Sequence, residues 1–360
     1  MIHFLTPAGE QLMVNYRDVR GSAIADRIEI VHYEHLPRRF RGGTYVFSAL
    51  EQLSAPMERL VARLYEQLSR CEGVRLLNRP GRTLRRYELL RELHRRGLND
   101  HEARLGNEDL NGLRYPVFIR GERTHEGSLT PLLDTQRDVE AWLGRLRVIG
   151  WKLDELLVVE FNDTSDEDGR YRKYAAFIIG DRIVPRSLDY GAEWMLKRKR
   201  NIYTREALAA EYEYVTTNPH ERELREIFAI AGVDYGRIDY AMKDGRIQTW
   251  EINLHPTLGR GLRHASENRA PGDLESIHSA TKEYVHAQLR EGWIAIDLQE
   301  DRELPVTLDA ALVAAAAAAP QPGHRSPAVA AVRRMLRPLK PLLLSRGAAP
   351  FRILGNWLRR

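Results

Sequence analysis

Short apolar runs open the chain. "IHFLTP", "RIEIVHYEHL" and "GTYVFSAL" are set apart by glycine, proline and charge, and they read as strands. "APMERLVARLYEQLSR" then repeats apolar residues with helical period, and "GVRLLNRP" follows as another strand. "TLRRYELLRELHRRG" predicts a second amphipathic helix, opened by Thr83 and closed by Gly97. This alternation predicts an open α/β domain over residues 1–112, with the polar stretch "NDHEARLGNEDLNG" as the connector out of it.

A second region, residues 113–302, starts with the strand "RYPVFIR", the polar loop "GERTHEGS" and a return at "LTPLL". "TQRDVEAWLGRLRVIG" is a helix, "DELLVVEF" a buried strand, and the acidic loop "NDTSDEDG" leads into "RYRKYAAFIIGDRIVPRSL". That last piece predicts a hairpin with a two-residue turn at Gly180-Asp181, pairing Ile179 with Arg182 and placing Lys173 and Arg186 on one face. Two cations close together on an inner face call for an anion between them; on a solvent-facing edge strand they need none. "EALAAEYEYVTTNPHERELREIFAIAG" is helical, interrupted near Asn218-Pro219. From Glu303 regular order is expected to fade into an Ala-, Pro- and Arg-rich tail, residues 303–360.

The segment "RIDYAMKDGRIQTWEINLHP", Arg237 to Pro256, divides its chemistry by position. In a strand, alternate side chains share a face. Ile238, Tyr240, Met242, Trp250, Ile252 and Leu254 form an apolar set, whereas Arg237, Asp239, Glu251 and Asn253 stand at odd positions. A two-residue Asp-Gly turn pairs Lys243 with Arg246 and separates Asp239 from Glu251. A three-residue loop ending in a bulge at Gly245 pairs Met242 with Arg246 and gathers all four polar residues, with Arg237 opposite Glu251. Burial of the apolar set favours the three-residue loop. Two carboxylates and an amide oxygen on one face suit a hard divalent cation, and the adjacent arginine suits a phosphate or developing oxyanion. A cross-strand salt bridge between Arg237 and Glu251 is the plainer alternative.

Composition narrows the setting. With 43% hydrophobic and 29% charged residues, the 360-residue chain is ordinary for a soluble globular protein. Its one cysteine, Cys71, excludes an internal disulfide and a cysteine-rich zinc site, and fits a reducing, cytoplasmic compartment. The start has no secretory pattern, and the longest apolar candidate, the alanine run at 310–319, is too short to cross a membrane. Nine basic residues and no acid lie between Gln321 and Arg360, which leaves a net −4 for residues 1–320 against +5 for the chain. The acidic body argues against nucleic acid as a partner. Val332, Leu336, Leu339 and Leu343, then Phe351, Leu354 and Leu358, recur at helical spacing among the tail's arginines, broken by Pro338, Pro341 and Pro350. That pattern suits peripheral contact with the inner face of a membrane, or a merely solvated tail.

Taken in order, these parts resemble the ATP-grasp superfamily, which includes D-alanine–D-alanine ligase, glutathione synthetase and the ribosomal-protein glutamate ligases. The resemblance spans roughly residues 75–260 and is strongest over Arg237–Pro256. It implies an N-terminal α/β domain followed by two α+β subdomains that clasp ATP. It also implies that Asp239, Glu251 and Asn253 hold two Mg²⁺ ions (Mn²⁺ as a substitute) bridging the ATP phosphates, with Glu251 shared. Arg237 matches the arginine that steadies acyl-phosphate and tetrahedral intermediates. Glu160 and Phe161 match the strand whose backbone reads adenine, Asp163 or Asp166 the ribose carboxylate, and Lys173 and Arg186 the phosphate contacts.

The family's loop lysine is replaced by Arg120, and the loop after it has only Gly121 and Gly127. An upstream lysine is also missing, with Arg85 or Arg86 nearest, and His125 in the loop is either a phosphate or substrate contact or simply solvated. The implied activity is ATP-dependent joining of a small-molecule or peptide carboxylate to an amine. A kinase acting on a hydroxyl, and a nucleotide-binding module without turnover, are the alternatives. No Gly-x-x-x-x-Gly-Lys loop, strand-borne Gly-x-Gly-x-x-Gly, His-Glu-x-x-His or Gly-x-Ser-x-Gly competes with this reading.

Overall fold

The computed structural model describes residues 1–19, 22–124, 127–196, 201–258, 270 and 272–319. The chain divides into two units, one built from Met1–Arg85 with Thr164–Pro322, the other on Arg86–Asp163.

The first unit begins with β1 (Ile2–Thr6), α1 (Leu12–Val19), β2 (Ile28–His32), the short β3 (Phe40–Arg41), β4 (Gly43–Phe47), α2 (Ala55–Leu68) and β5 (Val74–Leu77). Four of these strands form a parallel sheet in the order β2-β1-β4-β5, the predicted open α/β arrangement. Every residue of β1 and β4 is buried. A parallel strand covered on both faces reads as a continuous apolar run, which is why "IHFLT" and "GTYVF" lack alternation. α2 covers the sheet with Met57, Leu60, Val61, Leu64 and Leu68, the stripe its period predicts.

The second unit takes α3 (Arg86–Arg95), β6 (Ala103–Leu105), β7 (Val117–Gly121), α4 (Gln136–Val148) and β8 (Leu156–Glu160). Its antiparallel sheet has the order β6-β8-β7. Val117, Ile119, Leu156 and Val158 pack against Val139, Trp142, Leu143 and Leu146 of α4 and against Trp151. The Thr135 hydroxyl caps α4 by accepting the Asp138 N–H. Two expectations are corrected here. α3 starts at Arg86, three residues beyond Thr83, and the polar stretch read as a connector contains β6. Ala103 is buried there, and so are Asn99 and His101, because polar residues that find hydrogen-bond partners can be taken inside.

The first unit resumes with β9 (Tyr171–Ile179), β10 (Arg182–Gly191), α5 (Arg205–Thr217), α6 (Glu221–Ala231), β11 (Tyr235–Lys243), β12 (Arg246–Asn253), α7 (Glu275–Ile296), β13 (Glu303–Leu304) and α8 (Ala310–Ala318). An antiparallel sheet runs β10-β9-β11-β12. Trp293 of α7 is fully buried, edge-on to Phe4 and tilted against Tyr235, so one helix seals both sheets of the unit. Asn78 ties the same two sheets: its Oδ1 accepts the Asp234 and Tyr235 N–H groups, and its Nδ2 donates to Phe47 O and Tyr235 O. Order does not fade at Glu303. β13 pairs with β3, and α8 packs on α2, because the alanine-rich face is small enough to lie close. Among the described residues no helix is long and apolar enough to cross a membrane. The expected interfacial pattern of the basic tail lies outside the described residues.

Candidate active site

The β11–β12 hairpin turns through two residues, not three. Lys243 pairs with Arg246, and Asp244 and Gly245 both take left-handed φ, +50° and +72°. This is the turn that matches strand twist, and Asp-Gly is its favoured sequence. Carried on regularly, that register would place Asp239 and Glu251 on opposite faces. It is not carried on. Tyr240 pairs with Thr249 and Asp239 with Glu251, so Trp250 is an extra residue and the ladder shifts by one. Beyond the bulge Arg237 lies opposite Asn253, not Glu251. The four polar residues therefore share one face, but through a bulge in mid-strand. Trp250 is half-buried as that bulged residue, rather than a core side chain.

Charge is concentrated around Asp239, which is 6% exposed. Arg237 donates to it twice, Nε to Oδ1 at 2.8 Å and Nη2 to Oδ2 at 3.2 Å. The Lys173 Nζ lies 3.4 Å from Oδ2. Burial pushes the Asp239 carboxyl up, but the Arg237 guanidinium and the Lys173 ammonium together outweigh it, against opposition from Glu251, and hold it below the usual range. Burial also works against the Arg237 charge, and the carboxylates of Asp239, Glu251 and Asp189 more than restore it.

The β9–β10 hairpin turns as predicted, Ile179 opposite Arg182, but its faces differ from expectation. A bulge at Arg186 pairs Ala175 with Ser187 and Lys173 with Asp189. A regular ladder would set Lys173 opposite Leu188 and Arg186 opposite Ala175, on one face; the bulge takes Arg186 out of the ladder and sets Lys173 opposite Asp189. Lys173 sits among the carboxylates of Asp189 and Asp239. Arg186 lines a small cavity with Asp189, Glu211 and His278. Asp189, buried and held by Asn201 Nδ2 at 3.0 Å, was not singled out in the sequence. A regular ladder would set Leu188 opposite Lys173 and turn Asp189 to the other face, so the bulge alone brings Asp189 to Lys173. His255 was also passed over. Its Nε2 lies 3.0 Å from Glu10 Oε2, and its backbone N–H donates to Asn253 Oδ1 at 2.7 Å.

Among the described residues no group of three or more His, Cys, Asp or Glu side chains is disposed to hold a metal ion. The set here is instead two carboxylates and an amide. Asp239 and Glu251 are direct cross-strand neighbours, with Asn253 on the same face. A carboxylate offers about four lone-pair sites, so the three donors at Asp239 leave room for a cation, and Asn253 Oδ1 keeps a lone pair beside its one donor. All-oxygen donors of this kind fit Mg²⁺ when phosphate and water complete the shell.

The remaining candidates belong to the second unit. Arg120 stands in β7, one residue before the strand's end. The buried Glu160 carboxylate accepts the Glu102 N–H at 3.1 Å, the Arg114 N–H at 2.6 Å and the Arg114 guanidinium at 3.0 Å. Its backbone N–H donates to Glu102 O, and that of Phe161 to Pro116 O. Asp163 is exposed. Asp166, the other ribose candidate and part of the first unit, is spent on its own loop, accepting from Asp168 N, Arg170 N and Arg172. The backbone N–H of Arg170 is the main cause that keeps its carboxyl low. Arg85 pairs with Glu58, and Arg86 is buried with Nη1 on the carbonyls of Gly121, Glu122 and Thr124. Both residues nearest the replaced upstream lysine thus have protein partners in this structure. His125 lies outside the described residues.

No protein-family model matches the chain, and no curated protein is significantly similar to it. Solved structures are. The D-alanine–D-alanine ligase from Bacillus anthracis complexed with ATP is 12% identical over 82% of this chain and 97% of that one, with a TM-score of 0.45. The RimK domain protein ATP-grasp from Sphaerobacter thermophilus is 15% identical over 81% and 98%, with a TM-score of 0.46. The L-amino acid ligase from Bacillus licheniformis is 12% identical over 81% and 73%, with a TM-score of 0.41. Its structural neighbours are ATP-grasp enzymes.

Proposed function

We propose that this protein is an ATP-dependent ligase that joins a carboxylate to an amine through an acyl phosphate. The observation that carries the reading is the convergence of Arg237, Asp239, Glu251 and Asn253 with Lys173 on one sheet face, despite a turn that by itself would separate them. A bulge at Trp250 brings the β12 residues onto that face and a second, in β10, sets Asp189 opposite Lys173; such irregularities tend to mark sites where side chains are re-aimed.

In the proposed reaction a substrate carboxylate oxygen attacks the γ-phosphorus of ATP and ADP leaves. The amine nitrogen then attacks the acyl carbon, loses a proton, and inorganic phosphate departs as the amide forms. Asp239, Glu251 and Asn253 would hold Mg²⁺, which supplies charge neutralisation for the polyphosphate. Lys173 offers a point charge to phosphate oxygens. Arg237, held rigid by its fork on Asp239, presents fixed positive charge where the oxyanion develops, and a preorganised charge needs no rearrangement at that moment. Carbonyls of Glu160 and Phe161, with Asp163, are the adenosine contacts in this scheme, and Arg120 replaces a lysine at the phosphates.

Incubation with ATP, Mg²⁺ and pooled acids and amines tests the reading by ADP release. The expected result is release only when both an acid and an amine are present, and formation of a hydroxamate when hydroxylamine replaces the amine. Phosphorylation of an alcohol without hydroxamate would make the protein a kinase. Nucleotide binding with no turnover would make it a binding module.

A further inference from the structure

Lys173 stands where a cation is needed. Its ammonium is 3.4 Å from Asp239 Oδ2, and Arg237 holds the other side of the same carboxylate. Asp189 is the ladder partner of Lys173, and Glu251 that of Asp239. Two cations and three carboxylates thus lie together on one face, and the principal acid of the set is already neutralised by side chains. A divalent ion entering alone would meet two positive charges at contact distance from its own ligand. A polyphosphate would reverse that balance, because its oxygens would draw the long, flexible lysine away while Arg237 stays in its fork.

We infer that Lys173 is a stand-in cation on Asp239, so that the divalent metal enters this site with a polyphosphate and not before it. The inference rests on reading Asp239, Glu251 and Asn253 as metal ligands. It assigns Lys173 two exclusive partners, Asp239 without nucleotide and phosphate oxygens with it. Metal and nucleotide affinities are then coupled, each raising the other by the same factor. The geometry of Lys173 supports such an exchange, since its side chain is 26% exposed and joined to Asp239 by one long contact.

Mn²⁺ binding, followed by loss of the free-ion electron paramagnetic resonance signal, tests this without any turnover. In the absence of nucleotide, Lys173→Met is expected to bind Mn²⁺ roughly tenfold or more tightly than wild type, since a like charge near the metal is removed. Adding Glu251→Gln to that variant is expected to abolish the gain. With a nonhydrolysable ATP analogue, wild type is expected to bind Mn²⁺ tightly and Lys173→Met to bind the analogue more weakly. Equal Mn²⁺ affinity of wild type and Lys173→Met without nucleotide would overturn the inference. The metal reading itself would still stand in that case if Glu251→Gln abolished Mn²⁺ binding in the presence of the analogue. A gain that survives Glu251→Gln would place the ion elsewhere and overturn both.

Discussion

Asp239→Asn and Glu251→Gln each remove one carboxylate from the same face, and the structure assigns them unequal effects on folding. Asp239 is 6% exposed and accepts two hydrogen bonds from Arg237, whose side chain is 21% exposed, while Lys173 approaches at 3.4 Å. An asparagine there can accept on one side only and turns its own N–H₂ toward a guanidinium or an ammonium. Breaking one partner of a buried ion pair costs about 3–5 kcal/mol. The lower end applies, because solvent reaches part of Arg237. For a unit of this size, about 3 kcal/mol corresponds to a melting shift of roughly 6–12 °C downward. Glu251 is half-buried, repels Asp239 and attracts Arg237, so the two effects offset and Glu251→Gln should shift the melting temperature far less. Differential scanning calorimetry on the two variants decides the matter. The Asp239 carboxyl is held below its unfolded value of about 4, so its contribution is full above that pH and is lost as pH falls through the folded value. The gap between wild type and Asp239→Asn should therefore shrink below about pH 4. Equal melting temperatures for wild type and Asp239→Asn at pH 7 would refute the charge lock.

Trp293→Ala should destabilise by about 3–5 kcal/mol, since the ring is fully buried against Phe4 and Tyr235, whereas Trp250→Ala at the bulge should lose less; urea titration compares them. Gly245→Ala meets no atom within 4 Å, so its cost is the left-handed backbone alone, roughly 1–2 kcal/mol by the same titration. His220 Nδ1 bonds the Tyr240 hydroxyl at 2.9 Å, and burial holds its imidazole below the ordinary value. Stability should therefore fall as pH drops from about 6.5 toward the folded value, and His220→Gln should remove that slope in melting curves taken between pH 7 and 5.

The elements were legible where one period dominated. α2, α4 and the α5–α6 pair carry helical stripes, and the break at Asn218 is a left-handed residue before proline. The strands of the parallel sheet were legible as unbroken apolar runs. What misled was polarity used as a sign of exposure. The stretch from Asn99 was read as a connector, yet it buries Asn99 and His101 and carries β6. Likewise the residues after Glu303 form a strand paired with β3 and a helix that buries only Ala316, and neither partner is written in the segment itself. In the candidate site, residue types were readable while partners were not. Lys173 was expected beside Arg186 and stands beside Asp189, since one extra residue changes every pairing beyond it.

Parity explains why the β11–β12 face could be anticipated from a wrong turn. Any register that keeps Asp239 and Glu251 on one face differs from the regular Asp-Gly hairpin by an odd number of residues. Burial demands that odd shift, but it does not say where the extra residue sits. A glycine at the turn is one solution and Trp250 is the one adopted. Deleting Trp250 should then join the Tyr240–Thr249 pair directly to the Asp239–Glu251 pair in a regular ladder, with every polar partner kept. Deleting Ile252 instead keeps Asp239 opposite Glu251 but brings Asn253 opposite Ile238, on the other face. The first variant should retain binding of a nonhydrolysable ATP analogue with Mn²⁺, measured by calorimetry, and the second should lose it. Both must first show a cooperative melt, so that loss of fold is not mistaken for loss of a ligand. A folded Trp250 deletion that no longer binds the analogue would mean that the bulge itself, through the local twist it imposes, positions the site, and that parity alone is not enough.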